Sequence, residues 1–170
     1  MDYGALANSD LLTDFGFCVP DNQFDYVRVK YQHPTLSLNV KDYLKEEISV
    51  NLKRSGFNFE LLTYLRLCFK EVQDEYEKEL RVLEEMNTIL SGLRDKIQAL
   101  LSKEVFADTS KHPLLIFAKI YQEEQLKIVN AQISLIEQVH EHKFAEVEAY
   151  SATMKEYASQ IKEFQRTSKK

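Results

Sequence analysis

The residues of this 170-residue chain that could do chemistry are few and scattered. Its four histidines are His33, His112, His140 and His142. The last two lie two apart, so on a helix they point in different directions and do not make a metal pair. The two cysteines, Cys18 and Cys68, have no metal-ligand spacing and read as two free, buried thiols in a reducing compartment. Cys18 with a distant histidine is no better a nucleophile pair than any other two such residues. A tyrosine phenol can donate or accept a proton in catalysis, but the periodicity singles out none of the nine tyrosines. No G-x-G, H-E-x-x-H or C-x-x-C sequence is present. The acidic runs QDEYEKE, RVLEE and YQEEQ read as solvated helix faces with i,i+4 support. What stands out is local: two of the four glycines each follow an aromatic residue near the start, Tyr3-Gly4 and Phe15-Gly16.

Composition narrows the classes. Hydrophobic residues make up 44% and charged residues 29% of the chain, both ordinary for a water-soluble globular protein. The length suits one domain, or one with an appendage. Twenty-two Lys and Arg stand against 27 Asp and Glu, a net charge of −5. That balance disfavours general nucleic-acid binding, which rests on a basic surface. The start of the chain is acidic, with Asp2, Asp10 and Asp14, and lacks the basic and apolar regions of a signal peptide. The longest apolar run, PLLIFA, is too short to span a bilayer. The expectation is an intracellular protein of the cytoplasm or nucleus.

Elements follow from the punctuation. Only four glycines and three prolines interrupt the chain, which implies long uninterrupted helices. Residues 5–14 predict a short helix ended by Gly16, PDNQFD a turn, and YVRVKY a half-exposed strand stopped by Pro34. Val40, Leu44, Ile48 and Leu52 step by four and predict a helix from about residue 39, which Gly56 breaks. FELLTYLRLCF predicts a well-packed helix with Leu61, Leu62, Leu65 and Phe69 in the core. A long helix over 73–102 carries Tyr76, Leu80, Leu83, Leu90, Leu93, Ile97 and Leu100, with Asn87 at a seam position and Gly92 fitting a close helix neighbour. FADTSKHP predicts a loop.

From Pro113 to Lys170 no glycine or proline appears. Leu126, Val129, Ile133 and Ile136 form one stripe, and Val147, Tyr150, Met154, Tyr157, Ile161 and Phe164 another. A 4-4 step at His140 and Phe144 joins them. A straight helix of ~50 residues would span roughly 75 Å, so it either bends near His140 or projects as a coiled-coil arm. The fold expected is mainly α. It is a helical bundle with a long helical hairpin, preceded by a short helix-turn-strand segment.

The opening stretch, YGALANSDLLTDFGFCVPDNQFDYVRV, resembles the closing segment of a SET methyltransferase domain. The nearest subfamily is that of the Rubisco large-subunit methyltransferase and its relatives, which modify lysine or, in one branch, actin histidine. Their pattern, Y-G-x-x-x-N-x-x-L-L-x-x-Y-G-F followed by D-N-x-x-D-x-V, is matched by Tyr3, Gly4, Asn8, Leu11, Leu12, Gly16, Phe17, Asp21, Asn22, Asp25 and Val27. Downstream, ELLTYLRLCF is similar to the LLxYLRL helix of that family's substrate-binding domain.

The resemblance implies a division into residues 1–31, the end of a SET domain, and 32–170, a helical substrate-binding domain. It implies a catalytic role for Tyr3, whose hydroxyl would lie by the methyl-transfer channel. Phe15 falls where the family often has a tyrosine lining the target pocket, so one hydroxyl is missing there. The family's cofactor, S-adenosylmethionine, is held mainly by upstream glycine-rich and Asn-His segments that do not precede Met1. The expectation is therefore a chain that binds no cofactor and is inactive by itself, docking a protein substrate without nucleic acid, membrane or metal. Association through the last helix is a further expectation. The alternative is a stand-alone helical or coiled-coil interaction module.

Overall fold

The computed structural model describes residues 5–33, 47–107 and 114–141. The chain divides into two units, Met1–Ile136 and Glu137–Lys170. The described elements belong to the first, apart from the last residues of the final helix. Tyr3, Val40, Leu44, His112, Phe144 and the stripe from Val147 to Phe164 lie outside the described residues, and so does the expected bend and arm.

The described part is mainly helical, with five helices and two short strands. Helix α1 (Asn8–Phe15) ends where Gly16 takes a left-handed φ of 76° and its N–H donates to Leu12 O at 3.1 Å. A turn then leads into β1 (Val27–Tyr31), which pairs antiparallel with β2 (Ile48–Leu52). The register sets Val27 opposite Leu52 and Val29 opposite Val50. These four side chains are buried, while Arg28 and Asn51 are exposed on the other face. A two-stranded ribbon is marginal alone in water. Helix α2 (Phe59–Cys68) packs on β2 and on α3 (Glu75–Leu101), burying Leu61, Leu62, Tyr64 and Leu65.

Both helices start on side-chain caps. Asn58 Oδ1 accepts from Leu61 N and Asp74 Oδ1 from Glu77 N, each at 2.8 Å. The Arg66 guanidinium of α2 grips the Glu79 carboxylate of α3 through two hydrogen bonds, 2.6 and 2.7 Å. After the single turn α4 (Glu104–Ala107) comes α5 (Leu114–Glu141). Helix α3 buries Val82, Leu83, Met86, Leu90 and Ile97; α5 buries Ile128, Val129, Ile133 and Ile136.

Four expectations need correction. Ile48–Leu52 is a strand, not the end of a helix. Asn87 is exposed and Met86 fills the seam, because the 3.6-residue period drifts off a strict heptad. Gly92 is exposed, and a Cβ there would meet nothing within 4 Å, so no close neighbour explains it. Phe106 and Ala107 belong to α4 rather than to a loop.

Candidate functional site

The stretch that carries the family resemblance is built around one buried asparagine. Asn8, the first residue of α1, donates its backbone N–H to Asp25 Oδ1 (3.2 Å) and its Nδ2 to Asp25 Oδ2 (3.1 Å). Nδ2 also donates to Val19 O (3.0 Å), and Oδ1 accepts from Val19 N (2.8 Å). The amide thus imitates a strand partner for Val19 and closes the stretch into a loop. Asn22 adds a second stitch: Nδ2 donates to Leu6 O (2.8 Å) and Oδ1 accepts from Phe24 N (3.0 Å), an Asx turn. Asp25 accepts a further bond from Tyr26 N (3.0 Å). Burial pushes the Asp25 carboxyl up, against the opposing pull of the donors from Asn8 and Tyr26.

Of the two residues that the resemblance marks as functional, Tyr3 lies outside the described residues and Phe15 is described. Phe15 ends α1, is 52% exposed, and its ring centroid stands 6.3 Å from that of Phe17 at a tilt of 48°. The polar atoms of Asn8, Asn22 and Asp25 are used by one another and by nearby backbone. These residues therefore do not fit as ligands for S-adenosylmethionine.

A four-charge ring ties this stretch to the helices. Asp21, at a left-handed φ of 54°, accepts at Oδ1 from Arg54 Nη1 (3.0 Å) and from Lys127 Nζ (3.1 Å). The same two cations meet Glu124 of α5: Lys127 Nζ donates to Oε1 at 2.7 Å, and Arg54 Nη2 donates to Oε2. Glu124 is 2% exposed and Asp21 71%. The two cations hold the Asp21 carboxyl below its usual range, and the two carboxylates raise the Lys127 ammonium. Glu124 was expected on a solvated face, and burial corrects that.

Helix α5 adds two buried glutamines seven residues apart. Gln125 Nε2 donates to Tyr26 O (2.9 Å), and Gln132 Nε2 donates to Lys53 O (2.7 Å) and Gly56 O (2.8 Å). Sequence reasoning missed both, although their i,i+7 spacing among Ile128, Val129 and Ile136 put them on the apolar stripe.

A second cluster lies between β1, α2 and α3. The Tyr31 hydroxyl donates to Glu85 Oε1, and the Tyr31 ring meets those of Tyr64 and His33 edge-on at 6.1 and 6.3 Å. His33 in turn meets Phe69 edge-on at 5.3 Å. Burial and Glu85 push the Tyr31 phenol up. Burial is also the main cause that raises the thiols of Cys68 and Cys18 to about 11. Neither thiol is an activated nucleophile. Among the described residues no group of three His, Cys, Asp or Glu could hold a metal ion, and no helix is long and apolar enough to cross a membrane.

The described side chains thus offer no assembled catalytic group. They make a self-stitched N-terminal segment, an aromatic pair at its edge with Phe15 exposed and Phe17 half-buried, and a charged mooring onto α5. No protein-family model matches the chain, and no curated protein is found to match it.

Proposed function

We propose that this chain is the C-terminal, substrate-docking portion of a SET-domain protein N-methyltransferase that acts on lysine or histidine. On this reading the helices dock a protein substrate, Tyr3 contributes the catalytic hydroxyl, and Phe15 forms part of the target-side wall. The S-adenosylmethionine-binding core is supplied by sequence outside this chain, which alone transfers no methyl group. One observation supports it best. The residues that carry the resemblance act as a unit: Asn8, Asn22 and Asp25 hold one hydrogen-bond network, and Gly16 adopts the left-handed conformation that its motif position asks for.

Calorimetric titration of S-adenosylmethionine into the purified chain should give no binding isotherm. Micromolar affinity would refute the view that the core is missing. Fused behind the SET core of a family member stripped of its own C-terminal module, the chain should restore labelled methyl transfer, and Tyr3→Phe should abolish it. A folded, cofactor-binding fusion that transfers nothing would sink the proposal.

The other reading, a helical interaction module without catalysis, has its own observation. Leu100 at the end of α3, Val105 on α4, and Leu114 (76% exposed) and Ile116 at the start of α5 are all exposed apolar side chains. Single exposed hydrophobics are ordinary; these four fall close together in sequence, between positions 100 and 116, which is what favours the reading. This reading gains if the fusion is inert while Leu114→Glu changes the sedimentation of the chain.

A further inference from the structure

The four-charge ring is asymmetric in a way that suggests a ligand site already filled from within. Glu124 is buried, and it holds both Arg54 and Lys127 from one side. Lys127 is only three residues further along the same helix. Both cations then converge on a single oxygen, Oδ1 of Asp21, at 3.0 and 3.1 Å. Asp21 is the exposed member, set on a turn between α1 and β1, and it reaches the pair across 33 and 106 residues of sequence. A guanidinium fork beside an ammonium, fixed by a buried carboxylate, is how proteins hold oxyanions.

The charges give the ligand class. Arg54, Lys127 and Glu124 together carry one net positive charge, which Asp21 cancels with one carboxylate. A phosphate dianion brings more charge and three unprotonated oxygens, and can engage both cations at separate oxygens where Asp21 engages them at one. Asp21 sits at a left-handed φ, which Asp and Asn tolerate better than most other non-glycine residues.

We propose that Arg54 and Lys127, positioned by Glu124, form an oxyanion site that Asp21 occupies in cis, and that a phosphate or phosphate monoester displaces it. Displacement frees the 17–25 turn from α5 while Gln125 still holds Tyr26 O at its far end. The inference does not depend on the methyltransferase reading, and its failure leaves that reading untouched.

The test is hydrogen exchange on the full chain, followed by mass spectrometry of peptides covering 17–26 and, as a reference, 82–97. Inorganic phosphate is compared with sodium chloride at equal ionic strength. Phosphate should speed exchange in 17–26 several-fold more than chloride does, with the reference peptide unchanged. Equal effects of the two salts mean screening only, and would overturn the proposal. Exchange that rises together in both peptides means global unfolding, and would do the same.

Asp21→Asn removes the internal competitor yet keeps a residue type that tolerates left-handed φ. Because such tethered competitors act at millimolar effective concentrations, phosphate affinity read by shifts of the Lys127 side-chain NMR signals should rise about tenfold or more. Lys127→Met should erase the phosphate effect while the reference peptide stays protected. No gain in affinity from Asp21→Asn would also defeat the idea. O-phosphoserine serves as a second arm. Stronger release by it than by phosphate assigns the site to a protein-borne phosphate, and the reverse to the free ion.

Discussion

The Asn8 side chain bonds both backbone groups of Val19 and the buried Asp25 carboxylate. Replacing Asn8 with Ala strips Val19 N–H and C=O of their partner and removes an Nδ2 donor from a buried carboxylate. Unmade bonds of that kind cost about 1–3 kcal/mol each, so Asn8→Ala should lower the unfolding free energy by about 2–4 kcal/mol in urea titration. Asn8→Asp should be worse near neutral pH, because it sets a second carboxylate against Asp25, and should recover as the pH falls. The two neighbouring aspartates respond to acid with opposite signs. The Asp21 carboxyl is lowered, so its contribution is full above its unfolded value of 3.8 and is lost as pH falls through its folded value. The Asp25 carboxyl is raised, so its ionisation opposes folding and that penalty shrinks as pH falls. Accordingly, the stability gap between wild type and Asp21→Asn should be present at pH 7 and close on acidification. A gap that persists below the folded value would show that Asp21 acts through its backbone conformation alone. The thiols give a simpler check. With Cys18 at about 11, about one molecule in a thousand carries the thiolate at pH 8, so iodoacetamide should label native Cys18 far more slowly than the unfolded chain.

Helices were the legible elements, and the reason is their length. A 27-residue α3 repeats its apolar stripe often enough that Leu83, Leu90 and Ile97 identify the buried face whatever happens at single positions. Strand β2 carries a spacing that is ambiguous in the sequence. A step of four is also a multiple of two, so Ile48 and Leu52 fit a helix and a strand equally. The intervening Val50, with polar Ser49 and Asn51 between, is the alternation that decides for a strand. Pairing with β1, which was read correctly, then fixes the register. Buried polar residues were the other blind spot. Gln125 and Gln132 look like surface residues by type, yet α5 uses them to satisfy carbonyls at Tyr26 and around the 53–56 turn. The consequence can be measured. Gln132→Leu keeps the burial but leaves two carbonyls without their donor, and should cost about 2–3 kcal/mol despite a more hydrophobic side chain. A neutral or stabilising effect would mean that water reaches those carbonyls.

At the scale of the whole molecule, the least legible feature is the one that joins its parts. Arg54 meets Glu124 across 70 residues and Lys127 meets Asp21 across 106, and no periodicity encodes such a meeting. Only the i,i+3 pair of Glu124 and Lys127 is visible in the sequence, where it looks like an ordinary surface pair. Burial changes its meaning. A carboxylate that is 2% exposed loses its water on folding and depends on both cations, whereas Arg54 keeps 36% of its side-chain surface in contact with solvent. Glu124→Leu should therefore act mainly by leaving Arg54 half-buried opposite an apolar group. Breaking a fully buried pair this way costs about 3–5 kcal/mol, and Arg54's access to water should reduce that to about 2 kcal/mol. Adding Arg54→Met removes the stranded charge, so the double variant should recover a good part of the loss. The two substitutions should couple in a double-mutant cycle by about 1 kcal/mol or more, with the coupling weaker at high salt. Strict additivity, or a coupling insensitive to salt, would mean that α5 is held to the N-terminal segment by Gln125 and Gln132 and by packing, with the charge ring only decorating the joint.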